Sequence, residues 1–128
     1  MKLSVIIPAY NAAATLGEAL CSVEQQHVQP FEVVVVNDGS TDETAVVIQS
    51  FMDRLPLVCV DQANAGLGAA RNAGMRAAKG DAWAFLDADD LWGSNKLVHA
   101  RDYLMRFPDV QWFYTPIFEW SPGTEGAG

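Results

Sequence analysis

Apolar positions along the chain alternate between unbroken β-branched runs and stripes spaced three and four residues apart. Leu3-Ser4-Val5-Ile6-Ile7 is a run of the first kind, and Pro8, lacking a backbone N–H, is expected to end it. Leu16, Leu20 and Val23 recur at i, i+4 and i+7, which predicts a helix with one apolar stripe, capped by Asn11 or Thr15. Phe31-Glu32-Val33-Val34-Val35-Val36 reads as a strand, its consecutive valines predicting burial on both faces, as at the centre of a parallel sheet. Ser40-Thr41-Asp42-Glu43 has the spacing of a capping box, with carboxylates where a helix dipole favours them; Val47, Ile48, Phe51 and Leu55 form the apolar face of the helix it opens. A third strand is predicted at Leu57-Val58-Cys59-Val60 and an alanine-rich helix from Leu67 to Lys79, stopped by Gly80. Ala82-Trp83-Ala84-Phe85-Leu86 is a fourth strand, Ser94 a cap for a helix carrying Leu97, Ala100, Leu104 and Phe107, and Val110-Gln111-Trp112-Phe113-Tyr114 a fifth strand.

Strand and helix alternate throughout, which predicts an α/β fold: a mostly parallel sheet, right-handed crossovers and helices on both faces. Ligands of such sheets bind beyond the carboxyl ends of the strands. That rule singles out Pro8–Asn11, Asn37–Ser40 and Asp87–Asp90. After Trp120 the composition turns to Ser, Pro and Gly, so residues 1–120 are expected to form the folded part and 121–128 a flexible tail.

At 128 residues the chain is one domain's worth. Its sixteen acidic and eight basic residues give a net charge of −8. This repels nucleic acid and anionic lipid, so a phosphorylated ligand must be held locally, by a metal ion or a few placed cations. No apolar run approaches the ~20 residues of a membrane span, and Pro8 and Asn11 interrupt any signal-peptide core. The expected location is cytoplasmic. Cys21 and Cys59 have no ligand-spaced neighbours and are expected to be buried free thiols; His27 and His99 are expected at the surface.

Three carboxylates, Asp87, Asp89 and Asp90, follow the fourth strand directly. Packed this closely they repel, and a divalent cation such as Mg²⁺ or Mn²⁺, which takes oxygen ligands, is the simplest neutraliser; a solvated helix-capping loop is the other reading. Asn37-Asp38-Gly39-Ser40 has the composition of any tight turn, yet Asp38, fixed at a strand end, could also accept from the N–H of a base such as uracil. Tyr10 could offer its ring face to that base. Gly66-Leu67-Gly68 lacks the third glycine of a dinucleotide fingerprint, since Arg71 stands there. Arg71 could meet a diphosphate or pair with a nearby carboxylate.

Taken together, Val5-Ile6-Ile7-Pro8-Ala9-Tyr10-Asn11, Asn37-Asp38-Gly39-Ser40-Thr41-Asp42, Asn64-Ala65-Gly66 with Ala70-Arg71-Asn72-Ala73-Gly74, and Phe85-Leu86-Asp87-Ala88-Asp89-Asp90-Leu91-Trp92 resemble the family 2 glycosyltransferases. The resemblance implies a GT-A fold, a Rossmann-like three-layer sandwich, and transfer of sugar with inversion from a nucleotide-sugar donor. UDP is the nucleotide it favours, with Mn²⁺ or Mg²⁺ as cofactor. It assigns Pro8, Ala9 and Tyr10 to the uridine pocket, Asp38 to the base, and Asn11 and Arg71 to the nucleotide-sugar donor. Asp87, Ala88 and Asp89 become the Asp-x-Asp element, and Asp89 and Asp90 the metal ligands. Asn37 stands where the family often has an aspartate. The family's domain is roughly twice this long and carries its general base beyond this region, so a truncated, donor-binding part with little or no transfer activity of its own is expected. The acceptor, whether saccharide, lipid-linked saccharide or protein, stays open. Competing readings are a nucleotidyltransferase, which wants a glycine-rich basic loop where Pro8–Asn11 stands, and a non-catalytic nucleotide-binding or receiver-like module. An added oligomerisation role could fall to the aromatics Trp112, Phe113, Tyr114, Phe118 and Trp120.

Overall fold

The computed structural model describes residues 1–108. Their order is β1 (Leu3–Ala9), α1 (Leu16–Glu24), β2 (Glu32–Asp38), α2 (Thr44–Ser50), β3 (Leu57–Gln62), α3 (Leu67–Ala77), β4 (Ala82–Phe85) and α4 (Lys96–Arg106). The strands form one parallel sheet in the order β3-β2-β1-β4. The expected α/β architecture is present. The expected fifth strand and the C-terminal aromatic segment lie outside the described residues.

Side-chain alternation along the central strands divides the core in two. Val5, Ile7, Val33 and Val35 pack with Leu16, Leu20 and Val23 of α1, Ile48 of α2 and Leu97 and Leu104 of α4. Ile6, Val34 and Val36 point the other way, onto Ala70 and Ala73 of α3. Three layers result, and the four successive valines are fully buried because each face has its own helices. Small residues let α3 lie close to the sheet: a Cβ on Gly74 would fall inside contact distance of Ile6 Cγ2. Among the described residues no helix is long and apolar enough to cross a membrane.

Four local expectations are corrected. Pro8 does not end β1, which runs on to Ala9 in register with β2. Ile6 accepts from Leu86 N–H on the β4 side, and backbone groups two residues apart face the same way, so the donor Pro8 lacks points where β4 has already stopped. The capping box does not form either. The helix opens at Thr44, whose N–H and hydroxyl both donate to Asp42 Oδ1, while Ser40 Oγ accepts from Asn11 N–H. Neither Thr15 nor Asn95, at the caps of α1 and α4, makes a side-chain cap hydrogen bond, and Ser94 lies in the turn before α4. Finally, Cys59 is exposed and Cys21 only partly buried, although both are free thiols as expected. Among the described strands β3 lies at the edge of the sheet with an exposed face, which no local pattern announces.

Candidate donor site

β1 and β2 end side by side, with Ala9 opposite Asn37, and the loops beyond them build the site. Gly39 makes the turn after β2 at φ +70°, and a Cβ there would stand 2.5 Å from Asn64 N, so the position needs glycine on both counts. Asn11 is also left-handed, at φ 47°. Its Oδ1 accepts from the N–H groups of Thr41 (2.7 Å) and Asp42 (3.3 Å), and Ala13 N–H donates to Asp42 Oδ2. The loop after β1 is thereby clamped to the entrance of α2. Asn11 acts within that clamp rather than on the cleft wall.

Asp38 is buried at 3% exposure at the end of β2. Its Oδ1 accepts from Gln62 Nε2 (2.9 Å) and Ala65 N–H (2.9 Å), and its Oδ2 from Gly66 N–H (3.0 Å). The Gln62 donor, with help from the two backbone donors, holds the carboxyl below the usual range despite the opposing effect of burial. The arrangement ties β2 to the loop that starts α3. Asn64 Nδ2 donates to the Asp38 carbonyl (3.0 Å) and makes a longer contact to Oδ2 (3.4 Å), so both lone-pair sites of Oδ2 face a donor, one of them weakly. Pro8, Ala9, Tyr10 and Asp38 line a cleft of about 220 Å³, closed by Gly66, Leu67 and Ala70 at the start of α3. Tyr10 is half exposed at its mouth.

Arg71 follows Ala70 on α3 and reaches Asp87 Oδ1 at 3.4 Å, so of its two expected roles the ion pair is present. Both side chains are more than 40% exposed, and the pair is a weak tether that a stronger anion could displace. Asp87, Asp89 and Asp90 offer carboxylate oxygens that all lie within 4.8 Å of one another. Ala88 between them turns inward against the core. Burial, then the charges of Asp89 and Asp87, push the Asp90 carboxyl above its usual range. Negative charge that Arg71 only partly offsets, with an all-oxygen donor set, suits Mg²⁺ or Mn²⁺.

A larger groove of about 690 Å³ lies on the α1 face, lined among others by Gly17, Cys21, Val47, Phe51 and Trp92. It contains none of the site residues expected from sequence, and size alone does not select it. His27 and His99 are exposed, as expected.

The family model for glycosyl transferase family 2 matches residues 4–118. The chain belongs to glycosyltransferase family 2. An uncharacterized glycosyltransferase of Nostoc sp. is 48% identical over 99 residues, covering 76% of this chain and 31% of the relative. Among solved structures, residues 1–349 of S. aureus TarS in complex with UDP-GlcNAc superpose with a TM-score of 0.79 at 34% identity, over 83% of this chain and 32% of that one. The mannosyltransferase PcManGT of Pyrobaculum calidifontis, in complex with GDP-Man and Mn²⁺, gives 0.75 at 32% identity, over 80% and 32%. The family's GT-A architecture is thus present in a chain that spans about a third of the length of the curated relatives it matches.

Residues that stand in none of the sequence motifs support this candidate site. Gln62 lies opposite Asp38 across the β2–β3 register, a neighbour visible only once the topology is known. Gln26 and Ser22, near the end of α1, hold the segment after the acidic turn. Gln26 stands three residues past Val23, on the apolar stripe, and a polar residue at a core-facing position was the available signal.

Proposed function

We propose that this chain binds the donor of a metal-assisted, inverting glycosyl transfer, a nucleoside diphosphate sugar with UDP as the favoured nucleotide. The observation that carries the reading is the cleft at the ends of β1 and β2, whose α3 wall leads within one residue to Arg71 and its contact with the acidic turn. The base enters the cleft against the Tyr10 ring, and Asp38 Oδ2 accepts its imide N–H in exchange for the long contact with Asn64 Nδ2. Asp89 and Asp90 hold a divalent cation, Mn²⁺ or Mg²⁺, and Asp87 faces the ribose and Arg71. When bound, the cation neutralises the diphosphate that departs from the sugar. Arg71 exchanges its exposed partner Asp87 for a diphosphate oxygen, a gain because a phosphate offers stronger charge-assisted bonds. The acceptor is an alcohol of a saccharide, a lipid-linked saccharide or a protein. Complexes of relatives with UDP-GlcNAc and with GDP-Man and Mn²⁺ support a nucleotide-sugar donor and a divalent cation.

Calorimetric titration of UDP with and without Mn²⁺, repeated on Asp89→Ala and with GDP in parallel, tests the reading. UDP binding that Mn²⁺ strengthens, with the strengthening lost in Asp89→Ala, is the expected result. Binding indifferent to Mn²⁺, or strengthened equally in the variant, removes the metal role; tighter binding of GDP than of UDP removes the nucleotide assignment.

A further inference from the structure

The acidic turn leaves β4 with little of its own to hold it. Asp90 N–H donates back to Asp87 carbonyl, and Leu91–Gly93 belong to no helix or strand. Three neighbouring carboxylates push such a turn apart. Its downstream end is fastened to α1 instead.

Gln26 is 4% exposed and uses both ends of its amide. Nε2 donates to Gly93 carbonyl (2.6 Å) and Ser22 carbonyl (3.1 Å), while Oε1 accepts from Leu97 N–H (2.9 Å). Leu97 is the second residue of α4, so Gln26, just past the end of α1, supplies the cap that Asn95 does not. Around it, Trp92 N–H donates to Ser22 Oγ and His27 N–H to Ser94 carbonyl. An amide is suited to this place because it donates to carbonyls and accepts from an N–H at once; an ionised carboxylate would set oxygen against oxygen. α1 is in turn fixed by the buried Leu16, Leu20 and Val23.

We propose that Gln26 is a positioning residue for the Asp87–Asp90 turn, seconded by Ser22. It fixes where the metal-holding carboxylates stand without touching them. The metal part of this proposal rests on the donor-site reading above; the placement of the turn does not.

The test uses the full chain and three variants: Gln26→Leu, Ser22→Ala and, as a control at the opposite end of the sheet, Gly80→Ala. Mn²⁺ affinity is measured at saturating UDP, UDP affinity without metal, and amide hydrogen exchange residue by residue. Gln26→Leu is expected to weaken Mn²⁺ at least fivefold and to speed exchange at the Asp90 amide. UDP affinity without metal and exchange at Ala65 and Gly66 stay within twofold of the parent. Gly80→Ala lowers the melting temperature yet leaves Mn²⁺ affinity and Asp90 exchange unchanged. Parent-like Mn²⁺ affinity and exchange in Gln26→Leu, or equal losses in Gly80→Ala, overturn the proposal. If the parent binds no Mn²⁺, the donor-site reading has failed, and exchange at Asp90 against Ala65 decides the positioning role alone. Should Gln26→Leu not fold, Ser22→Ala, which removes the Trp92 anchor and one bond to the Ala19 carbonyl within α1, is read by the same two measurements.

Discussion

Asp38→Asn separates charge from shape at the best-connected polar residue of the site. With its oxygen in the place of Oδ1, the amide keeps the bonds from Gln62 Nε2 and Ala65 N–H but turns its NH₂ toward Gly66 N–H, donor against donor. One charge-assisted bond is lost, at about 1.5–3 kcal/mol, and two more fall to neutral strength, a further ~1 kcal/mol each. Gly66 is an exposed residue, so water can take over its N–H once the carboxylate is gone, and the expected loss near neutral pH is about 2–3 kcal/mol. The sign with pH follows from the lowered folded-state pKa, caused first by the Gln62 donor and then by the backbone donors, against burial. The carboxylate's stabilisation is complete above its ordinary value of 3.8 and is lost as pH falls through the lower folded value. A protonated Asp and an Asn are both neutral, so the stability gap between parent and variant closes in acid. Urea unfolding of both proteins across that range measures the gap directly. A gap that stays constant with pH, or none near neutrality, refutes the account of Asp38 as a charged acceptor for the β3–α3 loop.

Other substitutions probe packing and binding separately. Gly74→Ala gains about 1 kcal/mol of helix propensity but drives a methyl into buried, β-branched Ile6, an overpacking cost of about 1–3 kcal/mol. Urea unfolding should show net destabilisation of about 1 kcal/mol; a stabilised variant would mean that α3 has slack on the sheet. Gly80→Ala places its methyl 2.7 Å from Lys2 carbonyl and against Ser4 Oγ, and since backbone cannot step aside, its melting temperature should fall further than that of Gly74→Ala. Tyr10→Ala should leave stability within about 0.5 kcal/mol, because the ring is half exposed. Its UDP affinity should drop by about tenfold, the worth of one ring stacked on a base, and unchanged titration would take the base out of this cleft.

The parts of the fold visible in the sequence are those set by neighbours along the chain. Valines 33–36 announced a central strand because burial on both faces requires an unbroken run, and Leu16, Leu20 and Val23 announced α1 by helical spacing. What stayed hidden depends on neighbours across the sheet. Pro8 looks like a terminator until β4 is seen to stop at Phe85, and Cys59 looks buried until β3 proves to be an edge. The same holds at the site. Asp38 and the Asp87–Asp90 turn stood out as carboxylates at strand ends, whereas the partners that fix them, Gln62 and Gln26, are ordinary amides whose purpose appears only with the topology.

The strand order also sets an order of assembly. β1, β2 and β3 are neighbours both in the chain and in the sheet, so they can pair as soon as each is made. β4 takes its place beside β1 only after α3 has crossed back, bringing Asp81 to Lys2 across 79 residues. Closing a loop of that length is entropically costly and slow unless the docking surface already exists. The walls of the base cleft all precede β4, while the acidic turn arrives with it. The self-repelling Asp87–Asp90 segment therefore joins the sheet after the cleft walls, laid onto a framework whose α1 anchor is already in place.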